Sequence, residues 1–103
     1  MLFIKILLIS LLLVFSNSVL ADPKMDLGLD VYNNKAQCGV CHTLQVAGSK
    51  GQIGPNLDQL KPQIPQIIYT VTNGIGVMPA FDGTLTTEEI EAVAHYIFNS
   101  TNK

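Results

Sequence analysis

Two cysteines and a histidine crowded into five residues, Cys38-Gly39-Val40-Cys41-His42, constrain this chain more than any other stretch. Cys-x-x-Cys-His is the pattern to which a c-type haem is attached. Each thiol can add across one vinyl group of the porphyrin, and the short intervening peptide matches the separation of the two vinyls. The adjacent imidazole is then held beneath the iron. Three other uses of a Cys-x-x-Cys pair fit less well. A redox-active dithiol needs a βαβ setting that this chain lacks, and has no use for His42. A zinc site needs two more ligands, yet His95 is the only other histidine. A disulfide between Cys38 and Cys41 would close a small, strained ring. Both cysteines are used by the haem pattern, so none is left for a structural disulfide.

The rest of the chain suits that cofactor. Its 103 residues suffice for one small domain. Residues 1–21 read as a secretory signal peptide: Lys5 supplies the positive end, Ile6 to Phe15 is apolar except for Ser10, and Val19-Leu20-Ala21 ends on the small residue that cleavage requires. The competing reading is an uncleaved anchor, but a spanning helix needs about 20 apolar residues. Cleavage after Ala21 would leave residues 22–103 as a single domain, exported to the periplasm and not anchored to the membrane. Five lysines would then face eight Asp and Glu. With no arginine and no basic cluster, nucleic acid is excluded as a partner. A domain of this size without disulfides needs a staple, and a covalently held porphyrin would be one.

The periodicity predicts an all-α fold of three to four short helices. Asp26 to about Asn34 reads as a first helix with Asp26 as its cap and Leu27 and Val31 on one face. Gly28 inside it suggests close approach by another backbone or ring, or is simply tolerated. Thr43 to Gly54 reads as a loop, and Gly54-Pro55-Asn56-Leu57 as a turn. Ile64, Ile67, Ile68 and Val71 recur at helical spacing, with Asn73-Gly74 as the stop. The last helix is predicted over Thr87 to about Asn99, where Thr86 and Glu89 form a capping box and Ile90, Val93, Ala94, Ile97 and Phe98 form an apolar stripe. No alternating strand pattern follows residue 21.

An iron bound by His42 has a sixth position. The candidates are Met25, Met78 and His95. Met78 lies far enough downstream to return over the opposite face of the ring, in a Gly- and Pro-rich stretch that can aim a side chain free of helix geometry. Its other reading is an ordinary core methionine. The flanking Pro79 and the lack of helical spacing favour ligation. His95 falls off the apolar stripe and is expected to face solvent, with Tyr96 at the stripe's flank.

Together these residues resemble the class I c-type cytochromes, the single-haem family with histidine and methionine as axial ligands. The resemblance spans the chain after residue 21. It implies the cytochrome c fold, wrapped around one covalently attached haem c with its iron. It also implies that the Pro55 carbonyl accepts the second ring N–H of His42, and that Tyr96 on the last helix meets Gly28 on the first. Cys38, Cys41, His42, Pro55 and Met78 would thus hold the cofactor, His42 and Met78 binding its iron. The Trp and the lysine ring that many members carry are missing here.

The expected function is one-electron transport in a respiratory chain, between a dehydrogenase or respiratory complex and an acceptor such as a terminal oxidase. The protein would be no enzyme, and a monomer. Two rivals remain at this level: a haem enzyme with weak peroxidase activity, and a non-haem Cys-x-x-Cys redox or metal module. An apolar patch of Ala47, Ile53, Val77, Ala80 and Phe81 is the expected docking surface for redox partners.

Overall fold

The computed structural model describes residues 22–103, so the signal-peptide reading of residues 1–21 lies outside the described residues. Helix α1 spans Pro23–Asp30 and begins earlier than the periodicity suggests. Proline suits a first helical position, where its missing N–H has no partner in any case. The Asp22 carboxylate, not Asp26, caps the helix by accepting from the backbone N–H groups of Lys24 and Met25. Over Val31–Lys35 the helix widens into one π-turn, closed by the Ala36 N–H donating to the Val31 carbonyl at 2.8 Å. That turn leaves Val31 and Tyr32 fully buried.

The segment read as a loop is more ordered than its glycines imply. Thr43–Leu44 (β1) and Ser49–Lys50 (β2) form a two-rung antiparallel hairpin, Thr43 opposite Lys50 and Leu44 opposite Ser49. Two-residue strands are too short to show an alternating pattern, which is why they are invisible to periodicity. Asn56 then caps a single-turn helix α2, Leu57–Leu60, with its side chain accepting from the Gln59 N–H. Helix α3 spans Ile64–Asn73 and stops at Gly74, whose φ of 72° suits glycine. Helix α4 spans Thr87–Thr101, and its capping box forms as expected.

The core is the crossing of α1 and α4, with α3 also packed on α4. A Cβ at Gly28 would lie 2.5 Å from the Tyr96 Cβ and would collide with the Ala92 carbonyl, so only glycine allows the two backbones this close. Most of the predicted apolar stripe of α4 is buried: Ile90, Val93, Ala94 and Ile97 are all at most 5% exposed, while Phe98 is half-buried. Ile90, Val93 and Ile97 each remove enough apolar surface from water to contribute about 1.5–3 kcal/mol. Tyr96 lies inside the core rather than at its margin, its ring centroid 5.8 Å from that of Tyr32. The architecture is therefore all-α with one minimal hairpin, as expected. Its helices leave a cleft between the 38–55 segment and the loop joining α3 to α4.

Candidate haem site

The attachment turn is built by a backbone reversal. Gln37 adopts the left-handed conformation (φ 51°, ψ 48°), and Cys38–Val40 then make a single 3₁₀ turn. The Cys38 carbonyl accepts from the N–H groups of both Cys41 and His42. This compact turn carries both sulfurs and the imidazole on one short piece of chain. Cys38 and Cys41 are both half-buried and are not bonded to each other. Burial pushes the Cys38 thiol up to about 11.

His42 is held from behind. Its Nδ1 lies 2.7 Å from the Pro55 carbonyl oxygen. A carbonyl only accepts, so Nδ1 carries the proton and the Nε2 lone pair is free to meet a metal. Such a bond fixes the ring's orientation and raises its basicity. Gly54 adds a second restraint: a Cβ there would lie 2.5 Å from the His42 Cε1, so the ring rests flat against the bare backbone. The Gly54 N–H donates to the Cys41 carbonyl at 2.7 Å, tying this support to the attachment turn.

Met78 stands on a small hairpin turn. Ile75 and Met78 exchange both backbone hydrogen bonds (3.1 and 2.9 Å) across Gly76-Val77, and Gly76 has φ 56°. The turn is tied to α3 by the Phe81 N–H donating to the Val71 carbonyl. The other candidate ligands lie elsewhere. Met25 packs against the core, and His95 lies on α4 with its Nε2 3.6 Å from Asp22 and its Nδ1 3.2 Å from the Asn99 amide nitrogen. His95 is half-buried by these contacts rather than free in solvent.

Two cavities, of about 450 and 300 Å³, run past this constellation. Each is lined by Cys38, His42, Pro55 and Met78, so one continuous cleft passes the imidazole, a thiol and the thioether. Leu57, Ile67, Val71 and Ile97 line its deeper part, and no Asp, Glu or Lys lines either part. A flat, largely apolar ring system fits these walls, and the donor set of thiols, imidazole and thioether suits iron porphyrin chemistry. At the mouth, Val40 (66%), Ile53 (69%), Ile75 (70%) and Val77 (86%) are exposed. Val40 and Ile75 are absent from the patch read out of the sequence. Ala47 does not belong to it: it does not line the cleft and packs partly against the core.

Sequence reasoning missed the support behind the turn. The Tyr32 hydroxyl lies 2.8 Å from the Ser49 Oγ, and burial pushes the Tyr32 hydroxyl up to about 12, so it stays protonated. A Cβ on Gly39 would lie 2.6 Å from the Ser49 Cβ. No local pattern marks Ser49; it becomes visible only once the hairpin is folded.

Comparison with known proteins agrees with this geometry. Residues 23–97 match the family model described as cytochrome c oxidase, cbb3-type, subunit III. Cytochrome c6 of Tetradesmus obliquus is 34% identical over 87 residues, which covers 75% of this chain and 93% of that one. Cytochrome c6 of Porphyra purpurea is 34% identical over 101 residues, covering 86% and 88%. The crystal structure of the c-type cytochrome SorU from Sinorhizobium meliloti superposes with a TM-score of 0.75 at 45% identity, covering 81% of this chain and 97% of that one. The chain belongs to the class I c-type cytochromes, with the cytochrome c fold and one covalently attached haem c and its iron as cofactor.

Proposed function

We propose that this cytochrome is a one-electron carrier of the periplasm, with Cys38 and Cys41 as the haem attachment sites and His42 and Met78 as the two iron ligands. Residues 22–103 form its single functional domain, released by cleavage after Ala21. When bound, the haem supplies an Fe(II)/Fe(III) couple. The observation that carries the reading is that the same charge-free cleft is lined by the His42 imidazole, its Nε2 lone pair free, and by the Met78 thioether. Met78, a soft ligand opposite an imidazole, favours the reduced iron and a comparatively high potential. With His42 and Met78 both holding the iron, a bound haem would offer electron transfer and leave no position open to oxygen or peroxide.

Catalysis would need an acid or base beside the sixth position. The neighbours of Met78 along the cleft are Ile75, Val77, Pro79 and Phe81, none of which can move a proton. That argues for a carrier over the peroxidase rival. The family match sets aside the non-haem module. No helix among the described residues is long and apolar enough to cross a membrane, which is compatible with a diffusing carrier. The apolar mouth of Val40, Ile53, Ile75 and Val77 is the natural docking face for a donor, such as a periplasmic dehydrogenase, and for an acceptor, such as a terminal oxidase.

The deciding experiment is Met78→Ala in the haem-loaded protein. The weak long-wavelength charge-transfer band of an iron–methionine bond is expected to vanish, the potential to fall, and carbon monoxide to bind the reduced variant but not the wild type. An unchanged spectrum would refute Met78 as the ligand. Carbon monoxide binding to the wild type at neutral pH would instead favour the peroxidase reading.

A further inference from the structure

The Tyr32 hydroxyl is fully buried, an unexpected place for a polar group on the aromatic that packs beside Tyr96. Its partner identifies its role. The Ser49 Oγ lies 2.8 Å from the Tyr32 hydroxyl and 3.4 Å from the Leu44 carbonyl oxygen. The carbonyl can only accept, so Ser49 donates to it, and Tyr32 in turn donates to Ser49. The result is a directed chain, Tyr32 to Ser49 to Leu44, running from the helical core into both strands of the hairpin.

That hairpin leads directly to the support of His42. Leu44 follows His42 by two residues, and Ser49 precedes the supporting pair Gly54-Pro55 by five. Between them, the Thr43 Oγ1 donates to the Gly51 carbonyl at 2.9 Å, and Gly51 lies so close to the attachment turn that a Cβ there would sit 2.5 Å from the Cys41 carbonyl carbon. Ser49 also presses on the turn itself, against Gly39 between the two cysteines. We propose that Tyr32 and Ser49 are positioning residues for the axial histidine: their hydrogen-bonded chain pins the hairpin to the core, and so sets the rotation of the His42 ring through the Gly54-Pro55 segment. The proposal rests on His42 being an iron ligand, as read above.

The test is proton NMR of the ferric, haem-loaded protein, in which the order and spread of the four haem methyl resonances report the orientation of the axial ligands. The wild-type spectrum checks the underlying reading first, because a coordinated imidazole gives its own strongly shifted ring protons. If those are absent, the ligand assignment fails before any variant is made. Tyr32→Phe removes one oxygen from a packed ring and is the primary variant; Ser49→Ala is the second. Each is expected to shift the methyl pattern in the same direction, and the double variant to shift it no further than either single one. Thr101→Ala is the control, since it removes another buried hydroxyl bond, from Oγ1 to the Ile97 carbonyl, at the far end of α4. It should lower the melting temperature and leave the methyl pattern in place. If Tyr32→Phe loses melting temperature but keeps the wild-type pattern, the chain is merely structural and the proposal is overturned. Additive shifts in the double variant would overturn it equally, because they deny that the two residues act as one chain.

Discussion

The two walls of the cleft are built differently. The His42 side is over-determined: the ring accepts no freedom from Pro55 or Gly54, and the attachment turn is tied to its support by the Gly54 N–H. Behind it lies a hairpin bonded to a buried tyrosine. The Met78 side is a single two-residue turn with glycine at its bend and exposed Ile75 and Val77 around it. Its thioether is at most a weak hydrogen-bond acceptor, so nothing polar orients it. The contrast suits an electron carrier. On the proposed ligation, one wall would fix the cofactor, while the other would supply a ligand that tunes the potential and can yield without loss of the cofactor.

The contrast is broken most directly at Gly54. In Gly54→Ala the new Cβ would fall on the His42 ring, which must rotate or withdraw and give up Pro55. Losing a partner that orients a metal-binding histidine costs about 10- to 100-fold in metal affinity or activity. We therefore expect a drop of that order in covalently loaded protein, read from the mass of the purified chain, and a shifted potential in whatever loads. Normal loading with an unshifted potential would mean that the His42 wall is the compliant one. Met78→Ala is expected to keep its covalent haem, since the attachment turn is untouched.

A smaller perturbation sharpens the other half. A Cβ at Gly76 meets nothing within 4 Å, so Gly76→Ala tests conformation alone. Holding alanine at φ 56° costs about 1–2 kcal/mol. That destabilises the closed Met78 turn, and one such unit changes an equilibrium by about fivefold or more. If Met78 is the ligand proposed above, imidazole added to the ferric protein competes with it for the iron and reads this opening directly. Its affinity should rise by about that factor, while the melting temperature changes little. A lower melting temperature with unchanged imidazole affinity would show that the turn is rigid and part of the global fold.

Legibility in the sequence divides along the same line. The long periodic helix α4, its capping box and the glycine stop of α3 were readable because each is specified by residues within one or two turns. So was the turn that carries Cys38, Cys41 and His42, since the three fall within five residues. That Met78 stands outside any helix was readable from its Gly- and Pro-rich neighbours. The hairpin was not, because two rungs carry no period and Ser49 has meaning only opposite Leu44 and beneath Gly39. The start of α1 was misplaced because Asp22 and Asp26 are equally good caps locally, and Pro23 decides between them. His95 was assigned to solvent because a helical wheel does not know that Asp22 sits across from it.

The finest test concerns the ion pair that, among the described residues, joins the two walls. Lys35, three residues before Cys38, lies 2.5 Å from Glu89 on α4. Glu89 also closes the capping box where the Met78 loop ends, its Oε1 accepting from the Thr86 N–H. The Lys35 ammonium, and then the Thr86 N–H, hold the Glu89 carboxyl below its usual range. Glu89 in turn raises Lys35. A carboxyl with a depressed folded value stabilises the fold at pH above its unfolded value, about 4.3, and that contribution is lost as the pH falls through the folded value. Lysine's contribution is complete below its unfolded value of about 10.4 and is lost only above it. Within this pair, the contribution lost on the acid side therefore belongs to Glu89. Glu89→Gln preserves the capping geometry while removing the titration. Its denaturation midpoint should lie slightly below the wild type at pH 7, and the two should converge as the pH falls below about 4. Lys35→Met should behave alike at pH 7, and the double variant should add little. No gap at pH 7 would mean that Glu89 acts only as a cap, a role glutamine keeps, and that the two walls are joined through the helix core alone.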